Sequence, residues 1–165
     1  MKTLSMIFCL TACLHFTILA RDLTNPDSIQ VLQTVQDFFD AMENQDTLAA
    51  RSLLTPEGQN YSVHNSQTGP VIKTFSNSAF ISQLTDAKRI KLERMWDATV
   101  LLEDRIAVVW TPYDFHINGI FSHCGVDAFT LVKTLEGWKI SSIAYTKKFE
   151  NCPENPQGPP AGVRH

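Results

Sequence analysis

Four side chains that can accept or donate protons lie within a short stretch of the chain: Asp114, His116, His123 and Asp127. Between them, Asn118-Gly119 is typical of a two-residue hairpin turn, because both residues adopt positive φ at little energetic cost. With the turn at this position, the hairpin register would place Asp114 directly opposite His123. A carboxylate so placed orients an imidazole and raises its basicity. We therefore predict His123 as a general base and Asp114 as its orienting group.

The alternation of side chains along the two strands extends this predicted site. Successive strand residues point to opposite faces of a sheet, and the face with Asp114 and His123 would also carry large aromatic side chains. We take this face as concave and ligand-binding, with the following further residues: Trp110, His116, Phe121, Asp127 and Phe129. The alternative is that Asp114 and His123 form a partly exposed ion pair near the hairpin tip. Pro112 and Gly125 would interrupt the hydrogen-bonding ladder between the two strands. A bulge there would move the side chains further from the turn to the opposite face.

Metal and cofactor chemistry have little support in these residues. A zinc site needs three or four converging ligands, and Cys124 would point to the face opposite His123. The sequence has neither a phosphate-binding glycine loop nor a Gly-x-Ser-x-Gly nucleophile motif. We expect no metal and no cofactor.

Residues 1–20 have the layout of a secretory signal peptide, with one Lys, an uncharged apolar run and Ala20 before polar residues. We predict that they are removed and that the protein is secreted or periplasmic. Two alternatives stay open. A run of about 18 apolar residues can span a bilayer as an anchor, and the residues before Cys13 resemble a bacterial lipoprotein box, which would leave Cys13 lipidated.

Cleavage after residue 20 would leave an acidic chain with two cysteines. Lys2 is the one charged residue removed, so 13 basic and 17 acidic residues remain of the 14 and 17 in the whole chain. Nucleic-acid binding is not expected, since no Lys or Arg cluster is present. Cys124 and Cys152 are the remaining cysteines; an oxidising compartment and the predicted register favour a disulfide between them, with two separate thiols as the alternative. Asn60 begins a glycosylation tripeptide that has meaning only in a eukaryotic source.

Helices precede a long run of strands in the predicted element order. Asn25 caps a first helix whose apolar face is Val31, Val35, Phe38, Phe39 and Met42, Asp46 caps a short second one, and a third lies near 77–85. The predicted strands are 59–64, 71–75, 91–102, 106–117, 120–135 and 138–148, with a second turn at Glu136-Gly137 and with Trp138 and Ile140 in the core. This is an α+β plan, with three N-terminal helices packed on a strongly curved antiparallel sheet.

This element order, together with WTPYDF at 110–115, FSHCGVDAF at 121–129 and GWKI at 137–140, resembles the nuclear transport factor 2-like superfamily, the SnoaL-like and ketosteroid-isomerase-like cone folds. The resemblance covers about residues 26–148 and implies a cone-shaped α+β barrel with an apolar pocket. We place the domain at 21–150 and expect the Pro- and Gly-rich residues 151–165 to form a flexible tail.

Members of the superfamily include isomerases, dehydratases, ligand carriers and non-enzymatic partners, so the fold alone does not select a function. In isomerase-like members a carboxylate base lies on the strand after the second helix. The corresponding stretch here, 57–63, offers Tyr61 or Ser62 at its inward positions and no acid. We assign Tyr61 as a hydrogen-bond donor.

Three functions are consistent with these residues. The leading hypothesis is binding of a small, mostly apolar molecule with a few oxygens, through Trp110, Asp127, Phe129 and Tyr61. The second is an isomerase- or dehydratase-type enzyme that uses the Asp114 and His123 pair with Tyr61. The third is an interaction module without a ligand.

The opposite face of the predicted sheet is apolar and aromatic. It would carry Val109, Tyr113, Phe115, Val126, Ala128, Val132, Ile143 and Tyr145. Three helices can cover one side of a sheet only, and a monomer rarely leaves so large an apolar surface bare. The resemblance also implies dimerisation through this surface, so we predict a two-fold symmetric homodimer.

Overall fold

Three helices and seven strands follow one another in the computed structural model, which describes residues 25–86 and 88–160. Their bounds are α1 Pro26–Glu43, α2 Thr47–Leu53, β1 Leu54–Ser66, β2 Gly69–Ser76, α3 Asn77–Leu84, β3 Lys91–Met95, β4 Thr99–Glu103, β5 Ile106–Ile117, β6 Ile120–Thr134 and β7 Gly137–Lys147. The predicted signal peptide, Cys13 and the last five residues of the predicted tail lie outside the described residues.

The helices begin where their capping residues predict. The Asn25 side chain accepts a hydrogen bond from the Asp27 backbone N–H at 2.9 Å, and Pro26 occupies the first turn of α1. The Asp46 carboxylate accepts from Leu48 and Ala49 at the start of α2. The predicted apolar face of α1 is confirmed, since its five residues, Val31, Val35, Phe38, Phe39 and Met42, are each at most 2% exposed.

The sheet is curved, open and mixed, with strand order β2-β1-β7-β6-β5-β3 and with β4 also paired to β5. The prediction of an antiparallel sheet is wrong at one place, because β1 and β7 run parallel. The chain leaves β1 through the β2 hairpin and α3, and such a crossover permits a parallel neighbour. The predicted strand 91–102 is also two strands, with Asp97 at a φ of 46° between them. Both β3 and β4 pair with β5, so the break lets the sheet bend along that strand.

The first predicted turn is confirmed, and the register beyond it is not. Asn118 and Gly119 have φ values of 52° and 77°, as the tight turn requires. A bulge at Ser122 then shifts the pairing, so that His123 lies opposite Phe115 and Cys124 lies opposite Asp114. The prediction that Asp114 faces His123 is therefore wrong. One extra residue in a strand moves every later side chain of that strand to the opposite face, relative to its partner strand. The predicted bulge was at Pro112 and Gly125, but the observed bulge lies closer to the turn.

The second hairpin differs in the same way. Thr134 pairs with Gly137, which makes Leu135 and Glu136 the turn residues, and Ser141 is an extra residue in β7. These two changes place Tyr145 opposite Asp127 on the same face of the sheet. The core predictions are confirmed, since Trp138 and Ile140 are 4% and 0% exposed.

Residues 151–160 lie against the outer side of the sheet. The expected Cys124–Cys152 disulfide is present, with an S–S distance of 2.11 Å. The Arg94 guanidinium donates to the Gly158 carbonyl at 2.8 Å, and the Asn155 amide donates to the Asp114 carboxylate at 3.1 Å. Composition alone predicts a flexible tail, but it takes no account of these cross-links.

Candidate ligand cavity

A cavity of about 470 Å³ lies between the helices and the concave face of the sheet. Its size is within the range of sites that hold a drug-sized molecule. Its apolar walls are mainly aromatic and include six phenylalanines: Phe38, Phe39, Phe75, Phe80, Phe115 and Phe129. Polar side chains also line it, and they include Asn60, Glu93, Tyr113, His123, Asp127, Tyr145 and Lys147. The site is therefore an aromatic cavity with a few convergent polar groups.

The structure divides the predicted site residues between two faces. His123, Asp127 and Phe129 line the cavity, while Trp110, Asp114, His116, Phe121 and Tyr61 are not among its lining residues. Trp110 is 56% exposed and Tyr61 is 39% exposed. Trp110, His116 and Phe121 are not in the concave cavity, because the bulge at Ser122 puts them on the opposite face from His123. His116 and Phe121 instead line a separate pocket on the outer side, together with Asp114 and the tail.

The face predicted for dimerisation changes for the same reason. Tyr113, Phe115, Ile143 and Tyr145 line the cavity, and Tyr113 is 0% exposed. These side chains therefore cannot form an outer interface. On β1 the inward side chain at the cavity is Asn60 rather than Tyr61.

Two carboxyl groups meet inside the cavity. Glu93 on β3 and Asp127 on β6 both line the cavity, close enough for each carboxyl group to shift the pKa of the other; Asp127 is 2% exposed and Glu93 is half-buried. Burial raises the pKa of Glu93 from 4.5 to about 8. Burial and the Glu93 carboxyl raise the pKa of Asp127 well above its ordinary value. Burial disfavours the charged form and two adjacent carboxylates repel each other, so this environment favours a proton shared by the pair.

The hydrogen-bonding state of Asp127 is consistent with a shared proton. Its Oδ2 atom is buried and has no donor among the described residues. An ionised Glu93 carboxylate offers only acceptors, whereas a protonated one donates. The pair can therefore present an acidic O–H to a ligand oxygen, or exchange a proton with it.

Two tyrosines frame the carboxyl pair. The Tyr113 hydroxyl donates to the Thr146 carbonyl at 2.8 Å. Its ring lies over Gly125, where an added Cβ would be 2.8 Å from Tyr113 Cε1 and 1.9 Å from the Thr146 oxygen. Burial raises the pKa of Tyr113 and of Tyr145, so both hydroxyls stay protonated. Glycine at 125 thus allows Tyr113 to lie flat on the sheet as the floor of the cavity.

His123 lies in the cavity in a form unsuited to the predicted role. Its ring stacks on Phe115 at 4.7 Å between centroids, and its Nδ1 is 3.0 Å from the Ser122 hydroxyl. Burial, with a smaller contribution from Lys147, lowers the pKa of His123 to about 4. The ring is therefore neutral at physiological pH, and within residues 25–86 and 88–160 it forms no ion pair with a carboxylate, although Glu93 and Asp127 line the same cavity.

Asn60 fixes the cavity wall where β1 meets α3. Its Nδ2 donates to the Asn77 side-chain oxygen at 2.8 Å, and its Oδ1 accepts from the Ile143 N–H at 3.0 Å. The Asn77 Nδ2 donates in turn to the Thr55 carbonyl at 2.8 Å. This chain of bonds satisfies Asn60, so we assign it a structural role.

Asp114 and His116 belong to a polar cluster on the outer side of the sheet. Asp114 accepts from two nitrogens of Arg94, one of them Nε at 2.9 Å, and from Asn155. His116 Nδ1 is 3.8 Å from Asp114 Oδ1, and burial lowers the pKa of His116. This cluster ties β3 and β5 to the tail.

Glu93 is the cavity residue that the sequence reasoning missed. It lies in KLERM, a segment of five residues without a motif, and it meets Asp127 only because β5 lies between β3 and β6 in the sheet. The sequence signal for Glu93 is weak. Glu93 is an acid in a short strand, and its neighbours Leu92 and Arg94 occupy the positions that point to the opposite face of the sheet. Within residues 25–86 and 88–160, no group of three or more His, Cys, Asp or Glu side chains is arranged to hold a metal ion. In that same part of the chain, no helix is long and apolar enough to cross a membrane.

The three helices, the curved open sheet and the cavity between them define a cone-shaped α+β fold. Neither the protein-family models nor the curated proteins include a match to this chain. Solved structures do match. A nuclear transport factor 2-like protein from Cytophaga hutchinsonii has a TM-score of 0.61 at 13% identity, over 75% of this chain and 99% of that chain.

A second match is a protein of the same family from Streptomyces avermitilis, whose suggested activity is that of a dehydratase. It has a TM-score of 0.60 at 20% identity, over 76% of this chain and 100% of that chain. A third, of unknown function and from Nostoc punctiforme, has a TM-score of 0.59 at 9% identity, over 77% and 94% of the two chains. The chain therefore has the nuclear transport factor 2-like fold.

Proposed function

We propose that this protein binds a small, mostly apolar molecule in the cavity and holds one of its oxygens at the Glu93 and Asp127 carboxyl pair. The pair is the observation that carries the proposal. Placing two acids in an aromatic interior costs free energy, since burial disfavours the charged form. An apolar core has no need of such a pair, whereas a ligand hydroxyl would donate to Asp127 Oδ2, which has no donor among the described residues, or a ligand oxygen would accept the shared proton.

A ligand-retention experiment tests this proposal. The purified protein is incubated with a metabolite extract, separated from unbound material, and analysed by native mass spectrometry. We expect one small molecule retained per chain, and loss of that molecule in Asp127→Leu, which removes the polar anchor at similar volume. Glu103→Leu, which removes an exposed acid that does not line the cavity, is the matched control and should retain it. A wild-type protein that holds nothing, with a cavity filled by its own side chains, would contradict the proposal.

Proton transfer to the bound molecule is the second candidate function. A carboxyl group whose pKa is about 8 can donate and accept a proton near neutral pH, and the suggested activity of the Streptomyces avermitilis protein is of that kind. The base is then the Glu93 and Asp127 pair, not His123. The mass of the ligand recovered from the retention experiment distinguishes the candidates, because loss of water in wild type but not in Glu93→Gln indicates dehydration. A ligand whose mass and NMR spectrum are both unchanged indicates a binding protein, because an isomerisation alters the spectrum and not the mass.

We also propose a homodimer, through an outer face different from the one predicted. One row of side chains crosses four strands in register: Trp110 on β5, Ala128 on β6, Ala144 on β7 and Tyr61 on β1. Two alanines between two exposed aromatic residues make a shallow groove. In a two-fold arrangement, each Trp110 can fill the groove of the other subunit.

Light scattering at tens of micromolar tests the dimer. We expect twice the monomer mass for the wild type and a monomer for Trp110→Glu, because a buried unpaired carboxylate would disrupt the interface. Leu135→Glu, at a fully exposed hairpin turn, introduces the same charge and should remain dimeric. A monomeric wild type would refute the dimer.

Export to an oxidising compartment is a further part of the proposed function. It is supported by the signal-peptide pattern of residues 1–20 and by the Cys124–Cys152 disulfide. The intact mass of the protein purified from its native compartment should correspond to a chain that begins after residue 20. An unprocessed chain would overturn this proposal.

A further inference from the structure

The exposed lining residues mark the opening of the cavity. They are Gln83 in the last turn of α3, Asp86 and Arg89 in the α3–β3 connection, and Phe149 after β7. Lys91 and Lys147 are half-buried just inside. We call Arg89, Lys91 and Lys147, with Asp86, the rim. The deeper lining residues Phe38, Phe39, Asp127 and Phe129 are buried, so the cavity runs from a charged rim to an aromatic interior.

The three cations of the rim are crowded. Burial is the largest cause of the lowered pKa of Lys91 and of Lys147, and Arg89 lowers both further, while Asp86 opposes the shift at Lys91 and Glu93 opposes it at Lys147. The Lys147 ammonium lies 5.6 Å from the centre of the Tyr145 ring, and Lys91 Nζ donates to the Gln83 carbonyl at 2.6 Å. These two side chains are thus held at the rim by local contacts, although the like charges repel one another.

The acidic residues that line the cavity are distributed differently from these cations. Asp86 lies at the exposed rim, whereas Glu93 is half-buried and Asp127 is 2% exposed, on strands of the sheet. The rim therefore has three basic side chains and one acidic side chain, which is an excess of positive charge at the opening. This excess occurs in a chain whose overall net charge is −3.

We propose that the ligand of this cavity is an amphipathic anion: an apolar molecule whose single carboxylate, or comparable anionic group, lies at the rim while its apolar body fills the aromatic interior. This inference rests on the proposed function and adds the chemical class of the ligand. An anion at the rim offsets the excess positive charge and relieves the repulsion among Arg89, Lys91 and Lys147. The body of such a ligand buries apolar area against the phenylalanines, and a second oxygen can reach the carboxyl pair.

Matched pairs of probes test the charge requirement directly. We choose 1-naphthaleneacetic acid with 1-naphthaleneacetamide, and octanoic acid with octanamide, because each pair shares a skeleton and differs in charge. Titration calorimetry on the purified protein should give at least about tenfold tighter binding of the acid, as expected for a hydrogen bond to a charged group. The preference should shrink at high salt, because the rim is partly exposed.

Paired variants localise the effect. Arg89→Gln combined with Lys91→Gln should abolish the preference for the acid. Lys88→Gln combined with Lys148→Gln makes the same change in net charge with residues that do not line the cavity, and it should keep the preference. An unchanged preference in the first double variant would overturn the role of the rim.

The two proposals fail in distinguishable ways. If acid and amide bind the wild type equally, and both lose binding in Asp127→Leu, the cavity binds ligands and the inference of an anion is wrong. A tighter-bound amide also overturns the inference. If neither member of either pair binds, the proposed function and the inference drawn from it are both rejected.

Discussion

Replacing Glu93 by Gln is expected to stabilise the protein at pH 8 and to leave its stability nearly unchanged at pH 4. The pKa of Glu93 rises from 4.5 in its ordinary state to about 8 in the fold. Between these values the folded protein keeps a proton that the unfolded chain releases. Stability therefore falls as pH increases through this window, by at most about 1.4 kcal/mol per pH unit. Gln does not titrate and removes this loss.

We expect Glu93→Gln to be more stable than wild type at pH 8 by up to about 4 kcal/mol, because the loss of about 1.4 kcal/mol per pH unit acts over the window between the two pKa values. The glutamine amide can also donate to the unpartnered Asp127 Oδ2. Urea unfolding at pH 4, 6 and 8 measures the effect. Glu103→Gln, an exposed change at the end of β4, is the control and should stay within about 0.5 kcal/mol of wild type. A Glu93→Gln protein less stable than wild type at pH 8 would show that the carboxyl is not held protonated by burial.

The same experiment bears on function. If Glu93→Gln is more stable and retains less ligand, the acid is present for the ligand at a cost in stability, which is a common property of functional sites. A variant that is more stable and binds equally well would remove Glu93 from the proposed site.

Replacing Arg94 by Met is expected to cost about 3–5 kcal/mol, because it leaves the Asp114 carboxylate buried without its cation. The side chains of Arg94 and Asp114 are 14% and 8% exposed, and the guanidinium binds both carboxylate oxygens. After the substitution, the Asp114 carboxylate would keep its hydrogen bond from the Asn155 amide, at 3.1 Å. Arg94 also holds the Gly158 carbonyl, so residues near the C-terminal end of the described tail should exchange amide hydrogens faster.

Chemical denaturation of three variants checks this prediction. Arg105→Met, which changes an exposed arginine between β4 and β5, is the matched control, and we expect a loss below about 1 kcal/mol. Arg94→Met combined with Asp114→Leu removes both charges and should recover much of the stability. If Arg94→Met alone loses less than about 1 kcal/mol, the pair is not the structural link inferred here.

Local signals in the sequence predicted the fold well. Asn25 and Asp46 cap helices that begin where expected, and the apolar spacing from Val31 to Met42 defines the buried face of α1. Asn118-Gly119 fixes the first turn. Each of these features acts within a few residues of the chain, so composition and spacing suffice to identify it.

The candidate site was predicted only in part, and register explains the difference. His123, Asp127 and Phe129 line the cavity as predicted, because they lie on β6 beyond the bulge, where side chains point to the predicted face. The β5 residues Trp110 and Asp114 were placed on the wrong face because of one extra residue at Ser122. A bulge at a serine has no strong local signal, yet it inverts a whole strand.

The sequence by itself determined the α+β element order, the helix caps, the first turn and the cysteines available for a disulfide. The tertiary structure decided which acids meet. Glu93 and Asp127 are 34 residues apart in the chain, and β5 brings them together by pairing with β3 on one side and β6 on the other. The raised pKa of Glu93, the cavity and the cationic rim all follow from that pairing, because burial and charge at a site depend on neighbours from distant strands.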